Sequence, residues 1–173
     1  MKWFTQRRRP FVMTVLTALL TAAGIPASAQ NRLGAHLGFA LPLAAITDGR
    51  RTTIADDAVM VFPMGIEVHR SERLTFSLEL APIVQNAPQH VDLLLHPGVV
   101  WNLGGGYAVG NRVAFVVGTS TWGITPLFNR RLAQVGQGAT LFGEIDLPVR
   151  FSRTAAGRSS SSVGLAVVMG IGF

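Results

Sequence analysis

SVGLAVVMGIGF, Ser162 to Phe173, sets Val163, Leu165, Val167, Met169, Ile171 and Phe173 on alternate positions, with Gly164, Ala166, Val168, Gly170 and Gly172 between them. Successive side chains of a strand point to opposite faces, so one face of this strand is bulky and apolar and the other is small. Such a strand suits a sheet whose outer face meets lipid and whose inner face borders a crowded interior.

Working back from it, two-residue alternation recurs and helical periodicity is poor. Leu33, Ala35, Leu37, Phe39 and Leu41 alternate first, and Ala44 to Ala58 reads as a long polar loop. Phe62, Met64, Ile66 and Val68 then face away from Glu67 and His69, and a short turn at Arg70-Ser71-Glu72 leads to Leu74, Phe76, Leu78 and Leu80. Val84 to His90 reads as a second loop. From Val91 the odd positions stay apolar or small through Leu93, Leu95, Val99, Trp101, Leu103 and Tyr107 to Val109, and Gly110-Asn111-Arg112 reads as the turn that follows. Val113, Phe115 and Val117 begin a strand that runs to about Trp122. Leu141, Ile145, Leu147, Val149 and Phe151 form another, and Thr154 to Ser161 reads as a Ser-rich loop. Seven strands are clear. Single-chain barrels carry an even number, so an eighth is expected inside Thr125 to Val135, closed by a tight turn at Gly136-Gln137-Gly138. The expected fold is all-β: an antiparallel up-and-down transmembrane barrel of eight strands.

The first twenty-nine residues read as a separate segment. Lys2, Arg7, Arg8 and Arg9 precede an apolar run from Phe11 to Ile25, and Ala27-Ser28-Ala29 supplies small residues at the cleavage spacing. That order marks a cleaved secretory signal. Arg8-Arg9-Pro10-Phe11 partly matches a twin-arginine export motif, with the general route as the alternative. Residues 30–173 are then one barrel domain. The signal holds four of the fifteen basic residues and none of the nine acidic ones, so the net charge of +6 falls to +2 beyond it. No basic stripe remains to argue for nucleic acid. With no cysteine in an exported chain, stability must come from packing and backbone hydrogen bonds.

If the apolar parity faces lipid, the other parity gathers Glu67, His69, Glu79, His96, Arg112, Glu144, Asp146 and Arg150 in the lumen. An eight-stranded barrel leaves an interior that side chains fill, and charges there must pair. A lumen polar network is therefore expected, centred on Glu79, Glu144, Arg112 and Arg150, with Asp92 beyond the membrane. His36 reads as lumen filler and His90 as a loop residue. An enzyme would draw on His69, His96, Ser77 and Glu79, but no local motif ties these together. The glycines at 104–106 lack the Lys-Ser/Thr and the helix of a phosphate loop. Trp101, Tyr107, Trp122, Phe151 and Phe173 are candidates for interfacial girdles. Arg50, Arg51, Arg130, Arg131 and Arg158, in predicted connections, are candidate contacts for lipopolysaccharide phosphates. No cofactor or metal site is expected.

The alternating row Val163, Leu165, Val167, Met169, Ile171 and Phe173, together with the signal segment, resembles small outer-membrane β-barrel proteins of the OmpA/OmpX size class. The resemblance implies a bacterial outer-membrane location and an assembly signal at Met169, Ile171 and Phe173. The implied partners are outer-membrane lipid and the barrel assembly machinery. Members of that class include anchors, adhesion factors, narrow channels and lipid-modifying enzymes. The expected role is structural or surface-interacting and non-enzymatic. The alternatives are a narrow channel for small or hydrophobic molecules and, behind it, a lipid-modifying enzyme.

Overall fold

The structure is a computed structural model, described here for residues 33–86, 88–153 and 157–173; the signal segment lies outside the described residues. Among the described residues there are eleven strands: β1 (Leu33–Thr47), β2 (Arg50–Thr53), β3 (Val59–Val61), β4 (Met64–His69), β5 (Leu74–Asn86), β6 (Gln89–Gly104), β7 (Tyr107–Val116), β8 (Trp122–Val135), β9 (Ala139–Asp146), β10 (Val149–Arg153) and β11 (Ser159–Gly172). All pairings are antiparallel; β3 and β4 both pair β1 and β5, β9 and β10 both pair β8 and β11, and β1 also pairs β11, from His36↔Gly172 to Thr47↔Ser162. The sheet thereby closes on itself, leaving only the short β2 with an unpaired edge.

Ten of the strands make eight staves, and β2 lies outside them. β3 and β4 are one stave broken at Phe62-Pro63, and β9 and β10 are another broken at Leu147-Pro148. Proline has no N–H for the ladder, so regular pairing lapses there. The wall continues through other bonds: Phe62 N–H donates to the Pro82 carbonyl at 3.0 Å, and Leu147 N–H to the Pro126 carbonyl at 2.9 Å. β2 folds back on β1 as a hairpin beyond the barrel, with Ala44↔Thr53 to Thr47↔Arg50 in register. The stave expected inside 125–135 is β8, and Gly136, at φ 63°, lies in the turn after it.

Several connections fall elsewhere than the sequence reading placed them. Gly110-Asn111-Arg112 is mid-strand in β7, and the turn is at the three glycines, all with positive φ. Asn102 pairs with Ala108 across that turn, so odd positions face outward on both strands. The alternation therefore never resets, and the sequence reading ran two strands together. The next strand likewise ends at Val116, and Trp122 opens β8. The expected loop at 84–90 is a tight hairpin between β5 and β6. Ser159 to Ser161 belong to β11, and Ala44 to Thr47 belong to β1. Asp48, at φ 49°, and Gly49, at φ 81°, form the two-residue turn that primes a hairpin.

One end of the barrel holds Leu33, Phe173 and the connections 70–73, 105–106 and 136–138. The opposite end holds Asp48, the connection 117–121, and the ends of β10 and β11 at Arg153 and Ser159. At the Asp48 end, the Ser160 hydroxyl and the Ser161 N–H hold the Asp48 carboxylate below the usual carboxylate range. The Asp48 N–H returns a 3.1 Å bond to the Ser161 carbonyl. A depressed carboxylate contributes stability above its unfolded value, about 3.9, and loses it as pH falls through the lower folded value. The Ser161 amide resonance is expected to titrate with a midpoint below that unfolded value, and Asp48→Asn is expected to abolish the transition. A midpoint at the ordinary value would dissociate the carboxylate from this clamp.

Candidate functional site

Exposure on the staves is inverted relative to a soluble protein. Outward positions such as Leu33, Ile66, Trp101, Val163 and Met169 are bulky, apolar and exposed, while Ala81, Ala114 and Thr125 are buried. Exposed apolar area on this scale marks a surface meant for lipid or a partner. Aromatic residues flank it at both ends. Tyr107 packs on Phe128 at 5.9 Å near the Phe173 end, and Trp122 packs on Phe151 at 5.0 Å near the Asp48 end.

Inside, a polar network crosses the lumen. Glu79 is its centre: His96 Nδ1 lies 2.9 Å from Oε1, His36 Nε2 lies 3.1 Å from Oε2, and Arg112 Nη2 stands 3.7 Å away. The other nitrogen of His36 faces Glu67 at 3.0 Å, so the imidazole bridges two carboxylates. Arg112 forks onto Glu144 at 2.6 and 3.5 Å, and Asn129 donates to the same carboxylate at 2.9 Å. His36, Glu79, His96, Arg112 and Glu144 are all buried. Charges removed from water are tolerable only when matched this closely.

Glycine makes the room. Gly65 is paired with His36, and a Cβ at Gly65 would land on the imidazole ring. Gly98 is paired with Arg112, where a Cβ would lie 2.6 Å from Arg112 Cγ. Gly170 is likewise paired with Phe142, with a Cβ 2.5 Å from the ring. His36, Arg112 and Phe142 each lie over a glycine on the next stave.

The network divides the interior. Toward the Phe173 end is a vestibule of about 250 Å³, lined by Glu67, His69, Asn129, Arg131 and Phe142 among others. Toward the Asp48 end is a chamber of about 70 Å³, bordered by His96, Thr125, Asp146 and Arg150. Beyond that chamber's polar side Ala81, Leu94 and Ala114 pack with Val61, Ile83 and Val116.

The expected site residues are thus distributed unequally. Glu67, Glu79, His96, Arg112 and Glu144 meet in one network. Arg150 was expected to join Arg112, but its guanidinium instead donates to the carbonyls of Ile124 and Val149 at 2.9 and 3.1 Å. Asp146 borders the small chamber, with one oxygen lacking a partner among the described residues. His69 sits half-exposed at the vestibule mouth, bonded to Thr75 at 2.9 Å and 3.9 Å from Glu67. Asp92 is held by Gln85 at 2.9 Å and lies 3.3 Å from His90 at the Asp48 end. His36, read from the sequence as filler, is a central member. Its inward parity and the glycine opposite were the available signals, but the pairing that joins them is long-range. Arg130 and Arg131 lie in β8 near the Phe173 end rather than in a connection, with Arg130 over the Tyr107 ring at 4.9 Å.

Thr125, His96 and Glu79 form a hydroxyl–imidazole–carboxylate chain, with Thr125 Oγ1 2.8 Å from His96 Nε2. That order can activate a hydroxyl. Thr125 is only 1% exposed, however, so no lipid-sized substrate reaches it. Ser77 Oγ has no partner among the described residues, so no Ser–His pair forms. Among the described residues no group of three or more acidic, His or Cys side chains could hold a metal ion.

No family model matches the chain, and no curated protein sequence matches it. Among solved structures it is similar to the outer membrane protein OprG from Pseudomonas aeruginosa, at 10% identity and TM-score 0.47, over 82% of this chain and 94% of that one. A chain from the de novo design of transmembrane β-barrels matches at 12% identity and TM-score 0.34, over 79% of this chain and 94% of that one. The closed antiparallel sheet, the apolar exterior flanked by aromatic residues and the paired polar interior make this chain a small antiparallel β-barrel with an apolar outer face.

Proposed function

We propose that the chain is an integral bacterial outer-membrane barrel with a structural or surface-interaction role, non-enzymatic and closed to passage. Residues 1–29 direct export and are cleaved. The Phe173 end faces the periplasm and the Asp48 end faces outward. Met169, Ile171 and Phe173, on the outward row of β11, are what the assembly machinery reads. The observation that carries this reading is the ion-paired network across the lumen, which leaves two separate cavities instead of a pore. Thr125, whose hydroxyl meets His96 and through it Glu79, supplies no catalytic role because it is sealed inside.

The test combines location and conductance. The protein is expected in outer-membrane fractions, migrating faster on gels before boiling than after. Reconstituted in planar bilayers at neutral pH, it is expected to give no stepwise conductance. Conductance steps from the wild type would replace the closed barrel with the narrow-channel reading, and release of fatty acid from labelled phospholipid would replace it with the enzyme. A soluble periplasmic protein with ordinary mobility would remove the membrane reading itself.

A further inference from the structure

Above the apolar rows at the Asp48 end, the outer wall changes chemistry in two steps. Ile124, Val149 and Val163 are in register across β8, β10 and β11. One outward position further on, Trp122, Phe151 and Ser161 are in register, and beyond them Arg153 pairs with Ser159. The Trp122 and Phe151 rings pack at 5.0 Å with 36° between their planes, and stay 51% and 39% exposed. These residues, with Asp48 behind them, line a groove of about 380 Å³, within the roughly 300–1,000 Å³ of small-molecule sites.

The groove is rigidly framed. The Asp48 carboxylate accepts the Ser161 N–H at 3.0 Å, tying the β1–β2 turn to β11. Ser120 accepts the Arg153 N–H at 3.1 Å and donates to the Arg153 carbonyl, fixing the backbone under that arginine. The Arg153 guanidinium enters no ion pair among the described residues.

We propose that this groove binds the phosphorylated saccharide headgroup of an outer-leaflet glycolipid. An exposed aromatic pair offers a flat apolar platform for the C–H face of a sugar ring, and serine hydroxyls match sugar hydroxyls. The Arg153 guanidinium beside them, without an ion pair among the described residues, matches a phosphate, which it holds by two parallel bonds. The position selects a lipid over a free sugar. Trp122 and Phe151 are exposed on the outer wall, and the residues in register below them, Ile124, Val149 and Val163, continue as a path for acyl chains. The inference rests on the outer-membrane reading above, and names the arginine that faces the headgroup: Arg153.

The test uses the protein purified from membranes in detergent micelles, each sample first checked for the gel shift on boiling. Lipopolysaccharide, enzymatically dephosphorylated lipopolysaccharide and phosphatidylglycerol are titrated against immobilised barrel. Wild type is expected to prefer intact lipopolysaccharide. Arg153→Gln and Trp122→Ala are each expected to weaken it about tenfold, the loss of one charge-assisted or stacking contact. Arg153→Gln is also expected to lose the discrimination between intact and dephosphorylated forms. Trp101→Ala, in the opposite girdle, is expected to bind as wild type does. If gel-shifted Arg153→Gln and Trp122→Ala bind normally, or phosphatidylglycerol binds as tightly as lipopolysaccharide, the groove is not a headgroup site. A wild type without the gel shift overturns the barrel reading, and the groove proposal with it.

Discussion

Arg112→Ala is expected to lower the barrel's unfolding free energy by about 3–5 kcal/mol, the penalty for leaving buried charge uncompensated. Two carboxylates depend on this guanidinium, Glu144 at 2.6 Å and Glu79 at 3.7 Å. Alanine would leave Glu144 with only the Asn129 amide among its hydrogen-bond donors on the described residues. Glu79 would keep its two imidazoles. The measurement is urea unfolding of the refolded protein in micelles, followed by gel mobility without boiling. The double variant Arg112→Met with Glu144→Gln is expected to be more stable than Arg112→Ala, because it removes both members of the pair and neutral groups cost less to bury. Losses that simply add would mean that the two side chains are not coupled, and that the network is not what holds the lumen shut.

Gly65→Ala is expected to cost about 1–3 kcal/mol, the range for a methyl group forced into filled space. Its Cβ would meet the His36 ring, which cannot swing aside because Glu67 and Glu79 hold both of its nitrogens. In a His36→Ala background the same substitution is expected to be nearly free, giving a coupling of at least about 1 kcal/mol in the double-mutant cycle. Equal costs in both backgrounds would place the strain in the strand itself.

The alternation in the chain was enough to read an all-β barrel with seven staves, because the two-residue period of a strand is a local property, and the even-number rule supplied the eighth. It assigned the outward row of β11 and most of the inward one, since parity follows directly from position. Charge pairing was legible only as a requirement. That Glu79 and Glu144 needed partners followed from their parity, but parity alone offered Arg150 as readily as Arg112. Their heights along the barrel separate them. Arg112 lies opposite Gly98 and level with Glu144, while Arg150 is one stave-break further on, beyond Pro148.

Turns were less legible where the pairing register preserved parity. The hairpin through the three glycines carries the outward pattern from Trp101 into Val109 unbroken, so periodicity could not mark it. The positive φ values of those glycines, and of Asp48 and Gly49, were the better signal, because turn chemistry does not depend on what the flanking strands face.

By itself, then, the sequence determined the strand period, the lipid-facing parity and the need for a paired interior, all set by neighbours along the chain. The tertiary structure decided which charges meet, that His36 sits at the centre of them, and that Arg153 stands beside the Trp122–Phe151 platform. Those relations join residues on different staves, and only closure of the sheet, with its register, sets their heights against one another.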